Sequence, residues 1–142
     1  VENDIENTHL LAMVICDQII REERTRKVSL IGLFGNIYAP GFPAVHSRVH
    51  IYIAVTGFSG INDCEVKFTD NASKEIVKLS GKLDFRDKHT VLEVNFRMDN
   101  IPIPSAGTYH FDLVVAGNVI GRRKIYVRQI KEQNDSIHLH NQ

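Results

Sequence analysis

Tryptophan is missing from this chain, and cysteine, methionine and proline are sparse, at two, two and four residues in 142. A sandwich that binds sugar usually displays flat aromatic rings, and without Trp only four tyrosines remain for that task. Two cysteines without a CxxC spacing argue against a disulfide scaffold and against a thiolate zinc site. Excess charge of either sign is also lacking, since 17 Lys plus Arg balance 17 Asp plus Glu. Such neutrality argues against nucleic acid as a partner, because phosphate binding requires a basic footprint. Long apolar runs are absent too. The longest, Leu10 to Cys16, has seven residues, against roughly 20 for a helix that spans a bilayer, so no membrane span is expected. The start, Val1-Glu2-Asn3-Asp4, shows no basic segment followed by an apolar one. No secretory signal is visible there, and with two free thiols a cytoplasmic location is expected.

What is present leans to strands. There are 14 Val and 16 Ile against 9 Leu and 7 Ala. Branched side chains suit a pleated surface, whereas Leu and Ala favour helices. Residues 28–34 form an apolar run, and from Arg48 to Val55 apolar and polar positions alternate. Alternation returns at 64–69, more weakly at 75–85 where Gly81 suggests a bulge, and then at 90–98, 109–115 and 119–127. The run at 8–20 fits helix or strand on periodicity alone. The charged link 21–27 and the apolar run after it favour a hairpin, hence a strand. Residues 38–47 hold two Pro and one Gly and read as a loop, while Pro102 and Pro104 bar 99–107 from a central strand. Gly117-Asn118 reads as a two-residue hairpin turn.

Seven or eight strands with regular turn signals predict an all-β antiparallel sandwich. Residues 9–130 form the domain, with a polar segment at 1–8 and a polar tail at 131–142. The inward set is expected to include Val14, Leu30, Ile51, Ile53, Val66, Val94, Phe96, Phe111 and Leu113.

Two stretches carry a resemblance. Ile101-Pro102-Ile103-Pro104, Gly107-Thr108-Tyr109-His110-Phe111 and Val115 to Gly121 resemble the closing strands of an immunoglobulin-like sandwich. There Gly-x-Tyr is similar to a tyrosine corner, whose hydroxyl bonds backbone. Val14-Ile15-Cys16-Asp17 and Lys27 to Gly35, with Phe42-Pro43 following, are similar to a family of small uncharacterised bacterial proteins. The resemblance covers about residues 9–128 and implies a strand at 9–20, but brings no activity, cofactor or catalytic residue. The immunoglobulin comparison lacks the Trp and the intersheet Cys pair.

Candidate chemistry is thin. His138 and His140, two apart in an extended tail, would share a face and with a third ligand could hold zinc, but a plain polar tail explains them. His46 and His50 would lie about 13 Å apart in a regular strand, too far for one metal. Cys16 sits beside Asp17, which opposes thiolate formation, so buried inert thiols are expected at Cys16 and Cys64. Gly32-Leu33-Phe34-Gly35 falls in a strand and cradles no phosphate. The clusters 21–27 and Arg122-Arg123-Lys124 show no interleaved aromatics, which disfavours a single-strand binding platform. The expectation is a non-enzymatic interaction module without a cofactor, binding another protein or itself as a homo-oligomer. The alternative is a module for a small ligand, sugar or metal. In the tail, Ile137 and Leu139 are the expected apolar anchors for a partner, added along an exposed sheet edge.

Overall fold

The computed structural model describes residues 9–130, which form nine strands and no helix. They are β1 (Leu10–Arg21), β2 (Val28–Leu33), β3 (Asn36–Ala39), β4 (Ala44–Val55), β5 (Gly60–Asp70), β6 (Glu75–Phe85), β7 (Leu92–Ile103), β8 (Gly107–Val115) and β9 (Asn118–Gln129). One sheet has the order β2-β1-β4-β7 and the other β3-β9-β8-β5-β6. The all-β sandwich is as expected, with nine strands in place of seven or eight. The extra one, β3, runs into the stretch read as a loop, and β4 already starts at Ala44. The pairing is not wholly antiparallel either, because β3 runs parallel to β9.

Strands form here because each presents an apolar face to the same interior. Val49, Ile51 and Ile53 of β4 are completely buried, as are Val66 and Phe68 of β5 and Phe111 and Leu113 of β8. The Phe68 ring lies 4.9 Å from Phe111 and 5.1 Å from Tyr109, the spacing at which aromatic pairs attract. Val94 and Phe96 pack against this core with partial exposure. Two members of the expected inward set are corrected. Val14 pairs with Tyr52 on the outer face, and its neighbours Met13 and Ile15 are the buried ones. Leu30, on an edge strand, is only half-buried.

Local details follow the backbone chemistry. β7 carries Pro102 at the edge of its sheet, where a missing N–H is tolerated. The tight β8–β9 turn is Ala116-Gly117, one residue earlier than expected. Both residues have positive φ, 52° and 83°, as a type I′ turn requires. Gly81 pairs regularly with Cys64, and the irregularity of the β5–β6 ladder falls at Phe68/Thr69 instead. Tyr109 donates its hydroxyl to the Ser105 carbonyl at 2.7 Å, the backbone bond expected of it.

Candidate interaction surface

Among the described residues the sandwich leaves four edge strands, and a free edge offers unpaired backbone to any other chain. Three are blunted. β6 carries Glu75, Lys78, Lys82 and Asp84, β7 carries Arg97, Asp99 and Pro102, and β3 is only four residues long. Because β3 covers β9 only from Tyr126 to Gln129, the earlier half of β9 is also an edge, guarded by Arg122, Arg123 and Lys124. β2 has none of these devices. Its sequence Val-Ser-Leu-Ile-Gly-Leu contains no charge and no proline, although Gly32, at φ 75°, puts one irregularity into it.

The face beside this edge is apolar. Leu33, Cys16, His50 and Arg97 form one lateral row across β2, β1, β4 and β7, and Val14, Tyr52 and Asn95 form the next on the last three. Ile31 and Ile20 lie on the same face, paired with Gln18 and Ser29. Leu33 is 64% exposed, Ile31 44% and Ile20 43%. Polar groups border this strip. His50 Nδ1 meets Asn95 Oδ1 at 3.2 Å, and Tyr52 donates to Glu93. Burial first, then the Glu93 carboxylate, pushes the Tyr52 phenol up to about 12, so it remains a donor at neutral pH.

The other expected residues sort as follows. Ile137, Leu139, His138 and His140 lie outside the described residues. Cys16 and Cys64 are buried and unpaired. Burial is the main cause that raises both thiols, Cys64 to about 11. His46 and His50 occupy one strand but opposite faces. His46 pairs with buried Ile101 and lies 6.0 Å from the Phe34 ring, whereas His50 faces outward. Among the described residues no three His, Cys, Asp or Glu side chains come together as a metal site. A shallow cleft of about 460 Å³ lies between the β5–β6 and β7–β8 turns. Its carboxylate, Asp70, is engaged with the backbone N–H groups of Ala72 and Lys74. The 21–27 tip is fully exposed. The expectation of no aromatic among the basic residues fails at Tyr126, which stands between Lys124 and Arg128 on one face of β9. Their charged ends lie 6.0 and 5.6 Å from its ring centre. The β2 edge escaped sequence reading, because which strands end a sheet is decided by long-range pairing.

The profile of a family of unknown function, DUF6941, matches residues 11–128. The chain belongs to the DUF6941 family. The match agrees with the resemblance to uncharacterised proteins and brings no activity with it. No curated protein matches this DUF6941 chain. Among solved structures, Pseudomonas fluorescens alkylpurine DNA glycosylase AlkC, bound to DNA containing an abasic site analog, is similar at 8% identity and a TM-score of 0.41. The DUF6941 chain matches over 66% of its own length and spans 27% of that protein. A likeness of that degree carries no argument about activity.

Proposed function

We propose that this chain is a non-enzymatic, immunoglobulin-like module of a bacterial cytoplasm that binds another protein chain, or a second copy of itself, through β2. The observation that carries the reading is the bare edge: six uncharged residues, of which Ile31 and Leu33 are exposed. A strand added there gains main-chain bonds, and its alternate side chains meet the apolar strip. The segment Ser136-Ile137-His138-Leu139-His140 has the alternation of such an added strand, which makes Ile137 and Leu139 of a second copy its proposed anchors. The immunoglobulin-like reading is supported by the orders β1-β4-β7 and β6-β5-β8-β9, which run as A-B-E and C′-C-F-G do. Tyr109 at its corner adds to it. Two buried unpaired thiols fit a reducing compartment.

The experiment is light scattering on the full chain, on the chain lacking residues 131–142, and on the variant Ile31→Lys/Leu33→Lys. An assembly that falls to monomer in both altered proteins supports self-association through the tail and β2. A full-length monomer whose residues 28–33 exchange amide hydrogen equally fast with and without a bound partner overturns the role of β2. An assembly unchanged by either alteration overturns it as well.

A further inference from the structure

One carboxylate on the outer face of β7 holds two arginines. Asp99 Oδ1 accepts from Arg48 Nε at 3.0 Å, and its two oxygens accept from Arg97 Nε at 3.1 and 3.0 Å. Arg97 and Asp99 alternate on β7, and Arg48 and His50 alternate on β4. The ladder sets Arg48 opposite Asp99 and His50 opposite Arg97. All four therefore share one face, with the two arginines on its diagonal, about 7–8 Å apart at the backbone. Asn100, at φ 52°, then turns the strand, so that Ile101, next in the alternation, is buried. Asp99 is the last outward residue of its row. The bond from Arg48 is the largest cause that holds the Asp99 carboxyl below its usual range, and Arg97 adds to it against the cost of desolvation.

Each guanidinium spends only its Nε on this carboxylate. The terminal nitrogens of Arg48 and Arg97 meet no acceptor among the described residues, and both side chains are 51% exposed. Those nitrogens form the planar fork that receives two oxygens of one anionic group. Two cations against one anion leave a positive surplus. The next rows along the face, Tyr52 with Asn95 and Ala54 with Glu93, add no cation. Such a block takes a single anionic group and not a track of phosphates. The lateral row of Arg97 leads through His50 and Cys16 to exposed Leu33. Three strand spacings separate its ends, about 14 Å. A chain lying across the sheet therefore meets a cationic end and an apolar end at once.

We propose that Arg48 and Arg97, held by Asp99, form the receiving site for a carboxylate side chain of the protein whose apolar side chains cover Leu33 and Ile31. The identity of that occupant as a protein rests on the docking edge read at β2. Charge selects a carboxylate. One negative charge cancels the surplus, whereas a phosphate dianion exceeds it and lies beside Asp99. A basic or uncharged group leaves the two forks unanswered. Asp99 keeps both forks in place before the partner arrives, so less side-chain freedom is lost on binding. The site is exposed, so salt screens it, and it acts on partner choice and encounter rate more than on affinity.

The test follows the side-chain N–H resonances of Arg48 and Arg97 and the ring of His50 in the full chain. The probes are blocked tetraglutamate, blocked tetraglutamine and inorganic phosphate, at about 20 mM and about 200 mM salt. Tetraglutamate binds with shifts centred on these three residues, and tetraglutamine does not. The higher salt weakens that binding by at least about fivefold. Arg48→Gln/Arg97→Gln changes only exposed side chains and lowers the affinity about tenfold. Arg48→Lys/Arg97→Lys keeps the charge without the fork and recovers only part of that loss. An affinity unchanged in the glutamine variant overturns the proposal, as do shifts centred on Arg122 to Lys124 in place of this block. A lysine variant that binds as the wild type does overturns the forked geometry. Phosphate that binds these residues more tightly than tetraglutamate overturns the carboxylate assignment. Light scattering on Ile31→Lys/Leu33→Lys reads β2 separately. A block that binds tetraglutamate while that assay fails keeps its site and loses the occupant assigned to it, and a block that does not bind leaves β2 standing.

Discussion

His46 is a histidine built to stay neutral. Its Nε2 is buried with no hydrogen-bond partner among the described residues. Burial holds its pKa below the usual range, against smaller raising contributions from a backbone bond at Arg48 and from Asp17. In the unfolded chain the same ring takes a proton near pH 6.5. Below that pH the unfolded state binds more protons, so stability is complete above the ordinary histidine range and falls as the pH drops through it. The urea midpoint is therefore lower at about pH 5.5 than at about pH 7.5. His46→Phe reduces that difference. Part of it survives because His110, also held low, acts with the same sign. If His46→Phe leaves the pH dependence unchanged, His46 is not the group responsible. At Tyr109 the matching experiment is Tyr109→Phe, which keeps the ring against Phe68 and deletes the bond to Ser105. A loss of about 0.5–1.5 kcal/mol in urea unfolding is expected.

Among the elements, the β8–β9 hairpin stores a correctable conflict. Ala116 holds φ 52°, where a Cβ crowds the carbonyl oxygen and costs roughly 1–2 kcal/mol. Asn tolerates that region, and Asn-Gly is the preferred type I′ pair. Ala116→Asn is expected to raise stability by about 0.5–1 kcal/mol, seen as a higher melting temperature. It also keeps the Ala116 N–H bond to the Asp63 carbonyl. Gly32 is the opposite case. A Cβ there would stand 2.5 Å from Asp17 Oδ2, on a backbone at φ 75°. Gly32→Ala is therefore expected to destabilise the β1–β2 hairpin by at least about 1 kcal/mol, with faster amide exchange confined to residues 28–33. The strands that sequence revealed are the ones with one wet face, such as β4, where polar and apolar residues alternate. β1 gave an ambiguous signal because Ile15 and Cys16 are adjacent and both buried. The face of Val14 could not be read from a run without alternation. β3 gave none, because it is four residues long and its partner is 90 positions away in β9.

At the scale of the molecule, one core ties both sheets together, and its heaviest contributors are Phe68, Phe85 and Phe111. Phe111→Ala is expected to cost about 3–5 kcal/mol, while unfolding remains a single transition for one domain of this size. The thiols give an independent reading of that cooperativity. Cys16 and Cys64 are both buried, with thiols raised chiefly by that burial. Labelling by a thiol reagent is expected to be slow and to accelerate in step with global unfolding. Rapid labelling of Cys16 alone would mean that β1 opens by itself. The fold was legible because alternation is a local property. The bare edge at β2 was not, since an edge is defined by which partner is missing. Nothing in Val28 to Leu33 says that β1 lies on one side and nothing on the other.

The crossing from β2 to β3 also has a mechanical meaning. β2 belongs to one sheet and β3 to the other, so the short link at Phe34 and Gly35 laces the two layers together. β3 runs parallel to β9, and β9 leads directly to residue 130. Tension applied between residues 9 and 130 therefore pulls β9 forward along its axis, while β3 is held back through β2 and β1. The bonds between parallel strands are then loaded together in shear, where a hairpin pulled from its open end yields one rung at a time. The shortest strand among the described residues thus takes load along its whole length, through its four rungs from Asn36 to Ala39.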